Sequence, residues 1–177
     1  MKKIFSLFIS IIIFIACLTS CNLQKERKIS DAKEIAENVF HAQEILCIGN
    51  CNGLKERYGM SDKYFMLVIG KTEMGEITVL VPANSSKPAS FLEWPLNYSF
   101  EEITAKIKET LDANSYYGED YEFFFKGSAL EDYYRAKTGK ELPEFDHKFA
   151  IVFDKRYMIY EYQSEIVIVD MQNQLQS

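Results

Sequence analysis

Histidine is scarce in this sequence, with only His41 and His147 among 177 residues. A histidine-built metal centre is excluded, since a metal site needs three or four converging ligands. No phosphate-cradling loop, glycine-rich dinucleotide fingerprint, Gly-x-Ser-x-Gly elbow or His-Glu-x-x-His pair occurs. Basic residues are in deficit, 20 against 26 acidic, for a net charge of −6. That acidic, scattered balance argues against nucleic acid or an anionic lipid surface as partner. There is no internal repeat and no low-complexity tract. One arrangement can be stretched into an active site: Cys47 or Cys51 as nucleophile, His147 as base, Asp146 as its orienter. Neighbours on a strand point to opposite faces, so Asp146 and His147 make a poor pair. No catalytic residue, metal ligand or cofactor is assigned.

What the chain does have begins at Met1. Lys2 and Lys3 precede an apolar run from Ile4 to Leu18, which Leu18-Thr19-Ser20-Cys21 closes. A spanning helix needs about 20 apolar residues. This run is shorter and ends in small residues, the order of a processed export signal. Those four closing residues resemble the bacterial lipobox, and residues 1–21 are similar to a type II lipoprotein signal peptide. The plainer alternative is an ordinary secretory signal, or an anchor helix with Cys21 as bystander.

The resemblance implies a diacylglycerol on the Cys21 sulfur, cleavage before that residue and acylation of the new amino group. Anchoring by more than one chain fits the physics, because a single acyl chain holds a protein only marginally. The membrane would then be a partner through the lipid on Cys21. The expected location is the bacterial cell envelope, at the outer membrane rather than the plasma membrane. Residues 1–20 are the signal, 21–28 a polar lipidated tether, and 29–177 a single globular domain of a size that suits one core. Loss of Lys2 and Lys3 leaves 18 basic against 26 acidic residues, a net charge of −8.

Cys47 and Cys51 remain as a pair within Leu46-Cys47-Ile48-Gly49-Asn50-Cys51-Asn52-Gly53. Export favours disulfides, and Gly49, Asn50 and Gly53 are turn formers. The expectation is a small disulfide loop. A redox pair is the sharper alternative, but the spacing is one residue longer than Cys-x-x-Cys.

The hydropathy pattern predicts an α+β fold, with a mostly antiparallel sheet of about six strands, two longer helices and one short helix. A first helix is expected over 31–46, with Asp31 and Glu34 at capping-box spacing. Strands follow at 64–69 and 76–81, joined through 70–75. Ser99 and Glu102 form a second capping box ahead of the stripe Phe100, Ile103, Ile107 and Leu111. After a strand at 121–125, Ser128 and Glu131 open a short helix that Gly139 ends. Three strands at 149–153, 157–162 and 165–171 form a meander with turns at 154–156 and 163–164.

Two surfaces are possible contact sites. The long connection over 83–98 carries Phe91 and Trp94, and aromatic residues favour binding surfaces. Tyr160 and Tyr162 share one strand face with Met158, a possible aromatic platform, although ordinary packing explains them as well. The expected function is a lipid-anchored, non-catalytic envelope protein that binds a protein partner, in the manner of an inhibitor or immunity factor. A scaffold module of an envelope assembly is the alternative, and a thiol-based enzyme or redox protein ranks last.

Overall fold

The computed structural model describes residues 26–54, 65–111, 120–146 and 149–173. The signal segment, Cys21, the first part of the tether, all but Asp120 of the turn region expected over 114–120, His147 and the last four residues lie outside these. The described chain contains helix α1 (Ile29–Val39), strands β1 (Glu44–Asn52), β2 (Phe65–Thr72), β3 (Gly75–Pro82) and β4 (Ser90–Phe91), and helix α2 (Phe100–Thr110). There follow β5 (Tyr121–Phe125), helix α3 (Ser128–Thr138), β6 (Phe149–Phe153), β7 (Tyr157–Tyr162) and β8 (Glu165–Asp170). All eight strands form one sheet in the order β4-β3-β2-β1-β5-β6-β7-β8. Every neighbouring pair is antiparallel except β1 and β5, which run parallel at the centre.

The fold is α+β, as expected. Eight strands replace six, and the three helices have 11 residues each, so none is the short one. β4 is one of the added strands. β1 is the other, and it occupies the residues where a helix end and a cysteine loop were expected. Helix α1 stops at Val39, and His41 takes a left-handed backbone with φ 59°. Gly49 sits inside β1 rather than in a turn. A Cβ there would lie 2.7 Å from a Phe123 ring carbon and inside the contact radius of the Tyr121 carbonyl oxygen. The glycine is what lets β5 approach.

Alternation along the strands sorts the core by face. On one face Cys47, Cys51, Leu67, Ile69, Phe123, Phe125, Ile151 and Ile159 pack under α2 through Phe100, Ile103 and Ile107. On the other, α1 covers Met66, Val68, Val79 and Val81 with Ala32 and Ala36. α3 covers Phe124, Val152, Met158 and Tyr160 on that same face with Leu130 and Tyr134.

Helix ends follow local chemistry. Ser99 Oγ accepts from Glu102 N, and Glu102 Oε2 accepts from Ser99 N at 2.8 Å, closing the expected capping box. Glu76 on β3 takes the next two donors, Phe100 N at 2.8 Å and Glu101 N at 3.0 Å. At α1, Asp31 does cap, but from inside the helix, accepting from Lys28 N at 2.9 Å. The α3 cap is Gly127 rather than Ser128, and Gly139 ends that helix in the left-handed region with φ 70°.

Candidate functional site

The two ends of the sheet are finished differently. At the β4 end the edge is blunted. The strand has two residues, Leu92 N donates to Thr78 O at 2.9 Å beside it, and the chain before α1 closes the rest. Arg27 N donates to Ala83 O at 2.8 Å, and its guanidinium reaches Pro82 O, Asn84 O and Ser85 O at 2.8, 3.1 and 3.1 Å. Short strands and covering loops are common ways to stop edge-to-edge pairing.

Among the described residues β8 has no such device. It is six residues, Glu-Ile-Val-Ile-Val-Asp, without proline or lysine, and in unbroken register with β7 from Tyr162↔Glu165 to Tyr157↔Asp170. Gln163 and Ser164 both have positive φ, 51° and 61°, the two-residue turn that gives this tight hairpin. Met171 N donates inward to Arg156 O at 2.9 Å, which sets the phase of the ladder. Glu165, Val167 and Val169 therefore bond to β7, and the N–H and C=O groups of Ile166 and Ile168 point outward. Among the described residues no strand pairs with them. Ile166 and Ile168 are half-buried beneath the α2 face and Val167 and Val169 beneath the α3 face, so the side chains are ordered by packing.

The ends of this edge are acidic. Glu165 is exposed, and the Asp146 carboxylate lies 3.4 Å from Ser164 N in the adjoining turn. Asp170 is held by Arg156 through two bonds, Nε to Oδ1 at 3.0 Å and Nη2 to Oδ2 at 2.7 Å. That pairing lowers the Asp170 carboxyl below its ordinary range. Residues 157–173 contain three carboxylates and no lysine or arginine.

The residues singled out from sequence do not come together. Cys47 and Cys51 both lie on β1, buried and not bonded to each other. Four residues of extended chain separate their Cα atoms by about 13 Å, while a disulfide needs roughly 4.4–6.8 Å. The expected disulfide loop is corrected to a continuous strand. Burial pushes the Cys51 thiol up to about 12, so it offers no thiolate near neutral pH.

Trp94 is not a surface anchor. Its ring meets Phe149 edge-on at 5.5 Å and Phe100 at 6.4 Å, and Nε1 donates to Tyr98 O at 2.7 Å. The buried Glu161 carboxylate of β7 fixes the same loop, accepting from Asn97 N at 2.7 Å and Tyr98 N at 3.0 Å. Phe91 remains exposed, braced edge-on by Phe40 at 4.7 Å. Tyr160 is 7% exposed, with its ring 5.2 Å from Phe145 under α3, so it forms no surface platform with Tyr162, which is 40% exposed.

Sequence reading missed Glu161 and a second polar group. Glu122 on β5 faces α3, and burial, reinforced by the Asp120 charge, raises its carboxyl. Tyr133 on α3 is pushed up to about 12 by burial and then by the Glu122 charge. Its hydroxyl is buried and has no hydrogen-bond partner among the described residues. Lys155, 3.2 Å from Asp120, draws that neighbouring charge into an ion pair. The signal for Glu122 was a lone acid in an otherwise aromatic strand.

Among the described residues no cluster of three His, Cys, Asp or Glu side chains is placed to hold a metal ion, and no helix is long and apolar enough to cross a membrane. The chain matches no protein-family profile, no curated protein and no solved structure.

Proposed function

We propose that this chain is a lipid-anchored protein of a bacterial cell envelope that holds a partner protein without transforming it. The anchor rests on the sequence of residues 1–21 and its likeness to a lipoprotein signal. The single observation that supports binding is β8, an ordered, six-residue edge strand in a sheet whose opposite edge is closed by a loop and an arginine. A long unprotected edge is a hazard that folded proteins ordinarily remove, and its main productive use is to pair with another chain. The thiol-based alternative loses support, because Cys51 is sealed in the core and neutral.

Membrane fractionation and crosslinking test the two halves of this reading. Cys21→Ser should move the protein from the membrane pellet to the soluble fraction, and full retention in the pellet refutes the anchor. Crosslinking of the intact chain in envelope extract should capture one stoichiometric protein. The identity of that protein separates an inhibitor or immunity-like role from a scaffold role, and capture of none refutes the binding reading.

A further inference from the structure

We propose that β8 is the docking site itself, and that its occupant is an extended segment of a partner protein with a basic residue at the end that meets Glu165. The proposal rests on the binding reading above and adds the place and the chemistry.

Three observations carry it. First, among the described residues no strand pairs with the outward N–H and C=O groups of Ile166 and Ile168, on a strand whose inner ladder is complete. An added strand would satisfy them by main-chain hydrogen bonds, whatever its sequence. Second, Ile166 and Ile168 belong to the α2 face and Val167 and Val169 to the α3 face. A guest strand would extend both faces at once, so it needs small or β-branched side chains on alternate positions. Third, the charge is one-sided. Exposed Glu165 and neighbouring Asp146 leave carboxylates at the turn end, and the hairpin and its exit supply no cation within 157–173. Arg156 is already committed to Asp170.

The same charge pattern selects against a second copy of this chain as occupant. Each copy is acidic, with a net charge of −8 once residues 1–20 are removed, and repeats the same carboxylates along the same edge. A lysine or arginine across from Glu165 is favoured, and an acidic residue there is disfavoured.

Two labelled peptides, Lys-Val-Thr-Val-Thr-Val-Lys and its twin with glutamate at both ends, test this by fluorescence anisotropy on the full chain in detergent. The lysine-ended peptide should bind at least tenfold more tightly at low salt, with the gap shrinking as salt screens the charges. Ile168→Pro deletes an outward N–H while leaving the bonds to β7, a position at which a sheet tolerates proline. It should weaken binding at least tenfold. Glu165→Lys, which alters only an exposed side chain, should reverse the preference between the peptides and so covers the case in which the proline variant misfolds. Equal binding of both peptides, binding of neither, or unchanged preference in Glu165→Lys overturns the proposal. So does self-association in sedimentation that Ile168→Pro abolishes. If the crosslinked partner is still captured by a folded Ile168→Pro protein, the binding function stands and β8 is not its site.

Discussion

Replacing Gly49 by alanine tests the account of the sheet centre. β1 and β5 are joined over three residue pairs, Asn50↔Glu122, Cys51↔Phe123 and Asn52↔Phe124, and Gly49 sits just before them. Carbon atoms pack best at roughly 3.5–4.0 Å, and the new methyl would stand 2.7 Å from the Phe123 ring carbon. The strands must therefore part by about 1 Å or the ring must leave its place, since the Tyr121 carbonyl blocks the other direction. The ring cannot swing freely: Phe100 lies 6.4 Å from it and Phe149 stacks at 6.1 Å. Overpacking of this kind costs about 1–3 kcal/mol, and the rigid surroundings place Gly49→Ala near the upper end. For a domain of this size that lowers Tm by about 6–12 °C. Gly139→Ala is the control. Its Cβ would meet nothing within 4 Å, and the only cost is a left-handed backbone at φ 70°, about 1 kcal/mol. Thermal melts followed by circular dichroism compare the two. If Gly49→Ala melts within 2 °C of the parent, or no lower than Gly139→Ala, the close-approach explanation is wrong.

Three further outcomes are expected. Maleimide at pH 8 should leave Cys47 and Cys51 unmodified in the native protein and label both in urea; prompt native labelling, or an intact disulfide between them, contradicts their placement in the core. Arg27→Ala removes three hydrogen bonds to the carbonyls of Pro82, Asn84 and Ser85, each worth about 1 kcal/mol or less where water competes. Amide exchange across residues 26–28 should accelerate while β5 and β6 stay protected, and an unchanged Arg27 amide would show that the backbone bond to Ala83 suffices alone. Asp170 is held below its ordinary value of 3.8 by Arg156, so its contribution is complete above about pH 4 and fades as pH falls through the depressed value. Asp170→Asn should be less stable than the parent at pH 6 and should lose less on acidification, so that urea midpoints draw together as pH falls below about 4; parallel curves refute the linkage.

How much of this was legible in sequence depended on whether the deciding contacts were local. Helix α2 was readable because Ser99 and Glu102 settle its start within four residues, and its stripe faces one uniform core. The β6–β8 meander was readable because each turn is encoded on the spot. Asp154 and Lys155, like Gln163 and Ser164, adopt positive φ between two apolar runs. The β2–β3 hairpin is legible, but its loop is shorter than 70–75. Gly70, Lys71 and Thr72 stay in the strand, and only Glu73 and Met74 turn. β1 was not readable. Its glycine and asparagine look like a turn from inside the segment, and the reason for the glycine is a strand some 70 positions away. The candidate sites failed for the same reason. Trp94 and Tyr160 are aromatic in either setting, and their burial is decided by Phe149 and Phe145, far along the chain. The β8 edge could be read as a strand but not as an edge, since sheet order is invisible until β1 is found.

The parallel seam has a consequence for the order in which the chain becomes safe. β1 through β4 form a complete antiparallel unit, yet the second side of β1 waits for β5. At about 5–20 residues per second of synthesis, the interval between Asn52 and Tyr121 lasts on the order of 3–14 s. During it, the β5 side of β1 over Asn50–Asn52 is available to any passing strand. A chain stalled or truncated before Tyr121 would present that row permanently. Shortened products ending before β5 should therefore be recovered as aggregates.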